Sequence, residues 1–102
     1  MIVVDASALL AFLFAETGHE IVSHVLGSAL MSTVNLSEVL SRFARDGHDL
    51  TTLQKKLLGS PITWVDFGQE QAEWCAKLVP HTRHLGLSLA DRACLALGFM
   101  RQ

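Results

Sequence analysis

Three carboxylates in this chain stand where they could act together. Asp5 follows the apolar triplet Ile2-Val3-Val4, Glu38 closes the stretch Asn35-Leu36-Ser37-Glu38, and Asp91 closes Ser88-Leu89-Ala90-Asp91. A β-branched triplet without alternation reads as a strand buried on both faces, and ligands of open parallel sheets gather beyond the carboxyl ends of such strands. Each acid is expected near the first turn of a helix starting at that end of the sheet, where the charges repel one another unless a divalent cation lies between them. Helix amino termini offset part of that repulsion. Oxygen donors suit Mg²⁺ or Mn²⁺, and no His or Cys cluster at zinc spacing accompanies them. A cation held there can lower the pKa of a bound water and stabilise charge growing on a phosphate oxygen, so phosphodiester hydrolysis is the chemistry that fits.

Each acid also has a plainer role open to it. Asp5 can cap the helix that begins near Ser7. Glu38 can pair with Asn35, and Asp91 with Ser88, as the two halves of capping boxes.

The elements that must carry these residues alternate between strand and helix. Strands are expected over residues 2–4, 29–32 and 62–65, and helices over residues 7–14, 19–26 and 49–58. The clearest helix carries Leu36, Val39, Leu40, Phe43 and Ala44 at i, i+3, i+4, i+7 and i+8, ending at Asp46-Gly47. Beyond Asp66-Phe67-Gly68 a helix should run to about residue 79 with Ala72, Cys75, Ala76 and Val79 inward. A loop over residues 80–86 then leads to a last helix over residues 88–98. Asp49 or Thr51 is placed to cap the helix that stops at Gly59-Ser60-Pro61. This alternation predicts an α/β fold with a parallel sheet.

With 102 residues, half of them apolar and 18% charged, the chain is expected to form one domain over residues 1–102, and disorder is disfavoured. A net charge of -2 supplies no general basic field, so any nucleic acid must be held by a local patch, a metal or a partner. Cys75 and Cys94 read as buried thiols of a reducing compartment. No basic leader precedes the first apolar run, and Asp5 interrupts it. Neither a signal peptide nor a membrane span is expected, and a cytoplasmic location follows.

Three stretches, in this order, resemble the PIN domain family, and within it the VapC-type toxins of bacterial toxin-antitoxin pairs: Ile2-Val3-Val4-Asp5-Ala6-Ser7-Ala8-Leu9, Ser32-Thr33-Val34-Asn35-Leu36-Ser37-Glu38-Val39 and Leu87-Ser88-Leu89-Ala90-Asp91-Arg92-Ala93. The resemblance implies a PIN-like three-layer α/β domain with a short parallel sheet flanked by helices. It implies a metal-dependent endoribonuclease in which Asp5, Glu38 and Asp91 are catalytic and bind Mg²⁺ or Mn²⁺. Ser7 would support the first acid and Asn35 would be a supporting donor or a helix cap. Arg92 is either an RNA contact or a solvated helix charge, and Arg83, with His81 and His84, either touches RNA or belongs to a surface loop. The implied partners are RNA, a cognate antitoxin whose tail blocks the acidic site, and a second copy of the chain as a homodimer, with no membrane.

Similar toxins continue into a further strand and a Thr-x-Asp type turn, whereas this chain closes on Gly98-Phe99-Met100-Arg101-Gln102. The expectation is therefore a missing C-terminal strand that leaves an edge of residues 2–4 to recruit a partner. A second expectation follows, that of a catalytically inactive PIN-like binding or dimerisation module. A phosphoacceptor domain is disfavoured because Asp5-Ala6-Ser7 lacks the second acid of a D-x-D pair. Trp64 and Trp74 are assigned to core or interface, and Asp66 is left outside the site although it too follows a strand.

Overall fold

The computed structural model of the chain describes residues 2–13 and 26–101. Its elements run β1 (Ile2–Val3), α1 (Ala6–Leu13), a 3-10 turn (Leu26–Ser28), β2 (Ala29–Ser32), α2 (Thr33–Arg45), α3 (Leu50–Leu58), β3 (Thr63–Val65), α4 (Gln69–Thr82), a second 3-10 turn (Arg83–Leu85) and α5 (Leu89–Met100). The helix expected over residues 19–26 falls almost wholly outside the described residues, as do His19 and His24.

The three strands form one parallel sheet in the order β1-β2-β3, with Ile2 opposite Ala29, Val3 opposite Leu30, and Met31 opposite Trp64. Val4 extends the first ladder by one bond, its N–H donating to Leu30 O at 2.8 Å. All four β2 residues are buried, which is why this strand carries no charge and sits in the middle. Among the described residues β1 is an edge, paired with β2 alone.

Helices flank the sheet. Val4, Leu9, Met31, Val39, Phe43, Leu53, Leu57 and Ile62 belong to one apolar cluster, built by α1, α2 and α3 against the strands. Cys75, Leu78, Ala93 and Ala96 make a second where α4 meets α5, with Phe67 and Trp74 packed on it. Alanines at the centre of this second contact let two helix backbones approach closely. Trp64 packs on the first cluster, and Trp74 stacks on Phe99 with ring centroids 5.5 Å apart, so both tryptophans are structural, as expected. No helix among the described residues is long and apolar enough to cross a membrane.

Four expectations need correction. The helix containing Glu38 starts at Thr33, capped by Ser32, whose Oγ accepts from Val34 N at 3.3 Å. Asn35 is therefore not a cap, Glu38 stands in the second turn, and no Asn35–Glu38 capping box forms. The inward face of α4 carries Gln71, Cys75 and Leu78 in place of Ala72, Ala76 and Val79. Gln71 is drawn in by hydrogen bonds: its Oε1 accepts from Ser32 Oγ at 2.8 Å and its Nε2 donates to Asp66 O at 2.9 Å. The loop expected over residues 80–86 is helical through Thr82 and then a 3-10 turn. Pro80 removes one helical donor, yet buried Leu78 and the Thr82 Oγ1 bond to Leu78 O, 2.8 Å, keep the turn wound. Lastly, Cys94 is half-buried where full burial was expected, although both thiols are free.

Two outcomes follow for stability. Gln71→Leu leaves the Ser32 hydroxyl and the Asp66 carbonyl without their buried partner and should cost about 1–3 kcal/mol in urea unfolding. Gln69→Leu, which removes only an exposed bond to Glu73, should change stability by less than about 0.5 kcal/mol. Burial pushes the Cys75 thiol up, with the Arg92 guanidinium opposing. A thiol raised in the folded state ionises first in the unfolded chain, so its contribution is intact at pH 7 and is lost as pH climbs past about 8.5. Cys75→Ala should lower stability at pH 7 through lost packing and flatten its further fall between pH 7 and pH 9.5, measured by unfolding at both.

Candidate functional site

Asp5 sits two residues past β1, and its carboxylate does cap a helix: Oδ1 accepts from Ala8 N at 2.9 Å, in the first turn of α1. Asp91 does the same for α5. Its Oδ2 accepts from Ser88 N at 3.0 Å while Ser88 Oγ accepts from Asp91 N at 3.1 Å, the full capping box. Each bond occupies one carboxylate oxygen. Among the described residues the other oxygen, Oδ2 of Asp5 and Oδ1 of Asp91, has no hydrogen-bond partner. Capping and ligand binding are thus compatible for both acids.

The two exposed carboxylates line one cavity of about 290 Å³ together with Leu87, Cys94 and Leu95. Cys94 reports their joint field: burial pushes its thiol up, and the charges of Asp5 and Asp91 push it further. Two anions therefore act on one point from opposite ends of the chain. Sequence spacing could have nominated Cys94, since it follows Asp91 by three on the same helix face.

Glu38 is not brought to that cavity. It lines a second one, about 470 Å³, between α1 and α2, with Ser7, Ser41, Arg42 and Arg45. Ser7 accordingly lies beside Glu38, one residue beyond the Ala6 that separates it from Asp5 in the chain. The basic side chains of this cavity were missed from the sequence, although Arg42 and Arg45 follow Glu38 at i+4 and i+7.

Asn35 is buried and its Nδ2 donates to Ala90 O at 3.2 Å, tying α2 to the first turn of α5 one residue before Asp91. Its Oδ1 is buried without a partner among the described residues. Arg92 is no solvated charge: it is half-buried, with Nη1 donating to Leu87 O at 3.0 Å, and so braces the segment entering α5. Arg83, His81 and His84 are exposed on the end of α4 and the following turn, and none of them lines the Asp5–Asp91 cavity. Asp66 gives its backbone carbonyl to Gln71 and lines neither cavity.

Among the described residues no three His, Cys, Asp or Glu side chains converge as a metal cluster. The donor chemistry of the Asp5–Asp91 cavity nevertheless fits a hard cation. Mg²⁺ keeps several waters and is usually bound through one or two carboxylates plus substrate phosphate, and two carboxylates with an unbonded oxygen each are what this cavity offers.

A structure described as a toxin-antitoxin complex from Klebsiella pneumoniae shares the fold with a TM-score of 0.70 at 17% identity, over 99% of this chain and 80% of that one. No curated protein matches the sequence significantly. The PIN domain model matches residues 2–99, nearly the whole length, and with the α/β architecture above this establishes that the chain belongs to the PIN domain family.

Proposed function

We propose that this chain is the nuclease toxin of a toxin-antitoxin pair and hydrolyses RNA phosphodiesters with Mg²⁺ or Mn²⁺. Support comes from membership of the PIN family, from the fold shared with a protein described as part of a toxin-antitoxin complex, and above all from one observation. Asp5 and Asp91, from the two ends of the chain, line a single cavity with an unbonded oxygen each.

In this mechanism Asp5 and Asp91 would hold the cation, and Glu38 would serve from the second cavity. When bound, a divalent cation lowers the pKa of water and offsets charge on the phosphoryl oxygens. The chain's own residues do the positioning. Asn35 fixes the first turn of α5 and hence Asp91. The Ala8 N–H holds the Asp5 carboxylate in one orientation, and Ser88 does so for Asp91. The N–H groups that cap onto these carboxylates occupy one oxygen of each and leave the other turned to the cavity before a cation arrives. The partners in this reading are RNA and an antitoxin whose tail covers the acidic cavity. A second copy of the chain would pair at β1, and the setting would be the cytoplasm.

A second reading is a PIN-like binding or dimerisation module without catalysis. The observation favouring it is that Glu38 lines a different cavity from Asp5 and Asp91. Substitution by asparagine separates the two, because Asn caps helices as well as Asp does while removing the charge. Asp5→Asn and Asp91→Asn should each lower Mn²⁺-dependent RNA cleavage by on the order of 100-fold or more, a loss of about 3 kcal/mol of transition-state stabilisation. Both should weaken Mn²⁺ binding measured by calorimetry, and Glu38→Gln should weaken it less. Unfolding midpoints should stay close to the parent's. A parent chain that binds no Mn²⁺ and cleaves no RNA would leave the non-catalytic reading standing.

A further inference from the structure

We infer that the cavity between α1 and α2 is a phosphate subsite that holds the RNA backbone next to the proposed cleavage point; this rests on the proposed RNA substrate. Ser7, Ser41, Arg42 and Arg45 line it, and its lining includes Ala6 and Ser7, the two residues that follow Asp5 of the acidic cavity in the chain. Two guanidinium groups with two hydroxyls are a donor set suited to phosphate oxygens, which accept several hydrogen bonds at once from planar donors.

Charge placement favours a polyanion here. The chain has a net charge of -2, and the cavity that would take the scissile phosphate is lined by two carboxylates. A cation can reverse that repulsion at one phosphate only, so the flanking phosphates need positive charge supplied by the protein. Arg92, the cation nearest in sequence to Asp91, is committed to Leu87 O inside the fold. Lys55 and Lys56 lie on α3, and Lys77 and Arg83 on α4 and the turn after it. Arg42 and Arg45 are on the helix that packs against α1, and their cavity reaches the residues directly after Asp5. The Arg45 contact with Asp46, 3.6 Å between exposed groups, is a weak surface pair that phosphate can displace. Glu38 in the same lining sets a limit on affinity, appropriate to a strand that must move on after cleavage.

The test is the salt dependence of binding to a short single-stranded oligoribonucleotide, read by fluorescence anisotropy in an Asp5→Asn background that leaves this cavity's lining intact. Each phosphate contact on a single strand contributes about 0.7 to the slope of log affinity against log salt. Arg42→Gln/Arg45→Gln should reduce that slope by about 0.7 to 1.4, Lys55→Gln/Lys56→Gln should leave it unchanged, and Arg42→Lys/Arg45→Lys should restore most of it. An unchanged slope in the arginine pair, or an equal fall in the lysine pair, overturns the subsite. So does a loss confined to an acidic peptide such as poly-glutamate, which would assign the cavity to a protein partner. Cleavage by the unsubstituted chain is scored separately. Cleavage with no arginine effect removes only the subsite, whereas the arginine effect without cleavage removes the nuclease and leaves the subsite. No RNA binding at any salt removes the subsite, and cleavage by the unsubstituted chain alone decides the nuclease.

Discussion

The position of the first turn of α5 is the constraint on which the candidate site depends. Asp91 rides on that turn, and its distance from Asp5 is set by how closely α5 lies against β1, β2 and α4. Ala93, Ala96 and Leu97 are completely buried, so the helix approaches its neighbours on a stripe of mostly small side chains. Leu97 and the stack of Phe99 on Trp74 anchor the second half of the helix, while Ala93 and Ala96 give its amino-terminal half little to interlock with. The bond from Asn35 Nδ2 to Ala90 O supplies the missing restraint, because a directional bond in a buried place fails if the helix shifts by a fraction of a turn.

A second network does the same work further along the same carboxyl edge of the sheet. Ser32 closes β2, caps α2 and donates to Gln71, which in turn holds the carbonyl of Asp66 just past β3. Thr33 Oγ1 accepts from Phe67 N at 3.0 Å beside it. The carboxyl ends of β2 and β3 and the start of α4 are thereby fixed to one another through buried polar groups that are costly to separate. The loops beyond the strands are thus held in register with the sheet, and the cavities open there on a rigid floor.

Much of this was legible in the sequence, for a physical reason: β2 is a short run of buried residues and α2 buries apolar residues at a clean helical period, so their existence and type follow from pattern, although the start of α2 does not. The capping box at Ser88 and Asp91 and the cap at Asp49 were legible because they are local, three residues or fewer across. What was not legible depends on distant partners. Gln71 carries no mark of burial, because nothing near it in sequence reveals that Ser32 and Asp66 will satisfy its amide. Asn35 looked like a cap because Asn favours that place, and only its contact with Ala90 on the last helix shows otherwise. Arg92 looked solvated on a helix surface, yet the bond from its Nη1 to Leu87 O draws its guanidinium inward. At the site, Asp5 and Asp91 were brought together as the spacing and the resemblance implied. Glu38, in the second turn of a helix that begins at Thr33, lines a different cavity.

The double duty of the two aspartates explains how an apolar domain can keep two anions side by side. A carboxylate that only bound metal would face its neighbour's charge unrelieved whenever the cation was absent; the Cys94 thiol, raised first by burial, is raised further by both charges. A carboxylate that only capped a helix would gain nothing from facing another. Here each acid gives one oxygen to the positive end of a helix, which offsets part of its charge permanently and fixes its orientation, and keeps the second oxygen unbonded. In the proposed site, repulsion between the unbonded oxygens would favour a cation, which would relieve it while the caps keep the side chains from escaping it by rotation. Under the proposed function, folding stability and cation affinity would draw on different oxygens of the same two residues, and replacing the charge while preserving the cap separates one from the other.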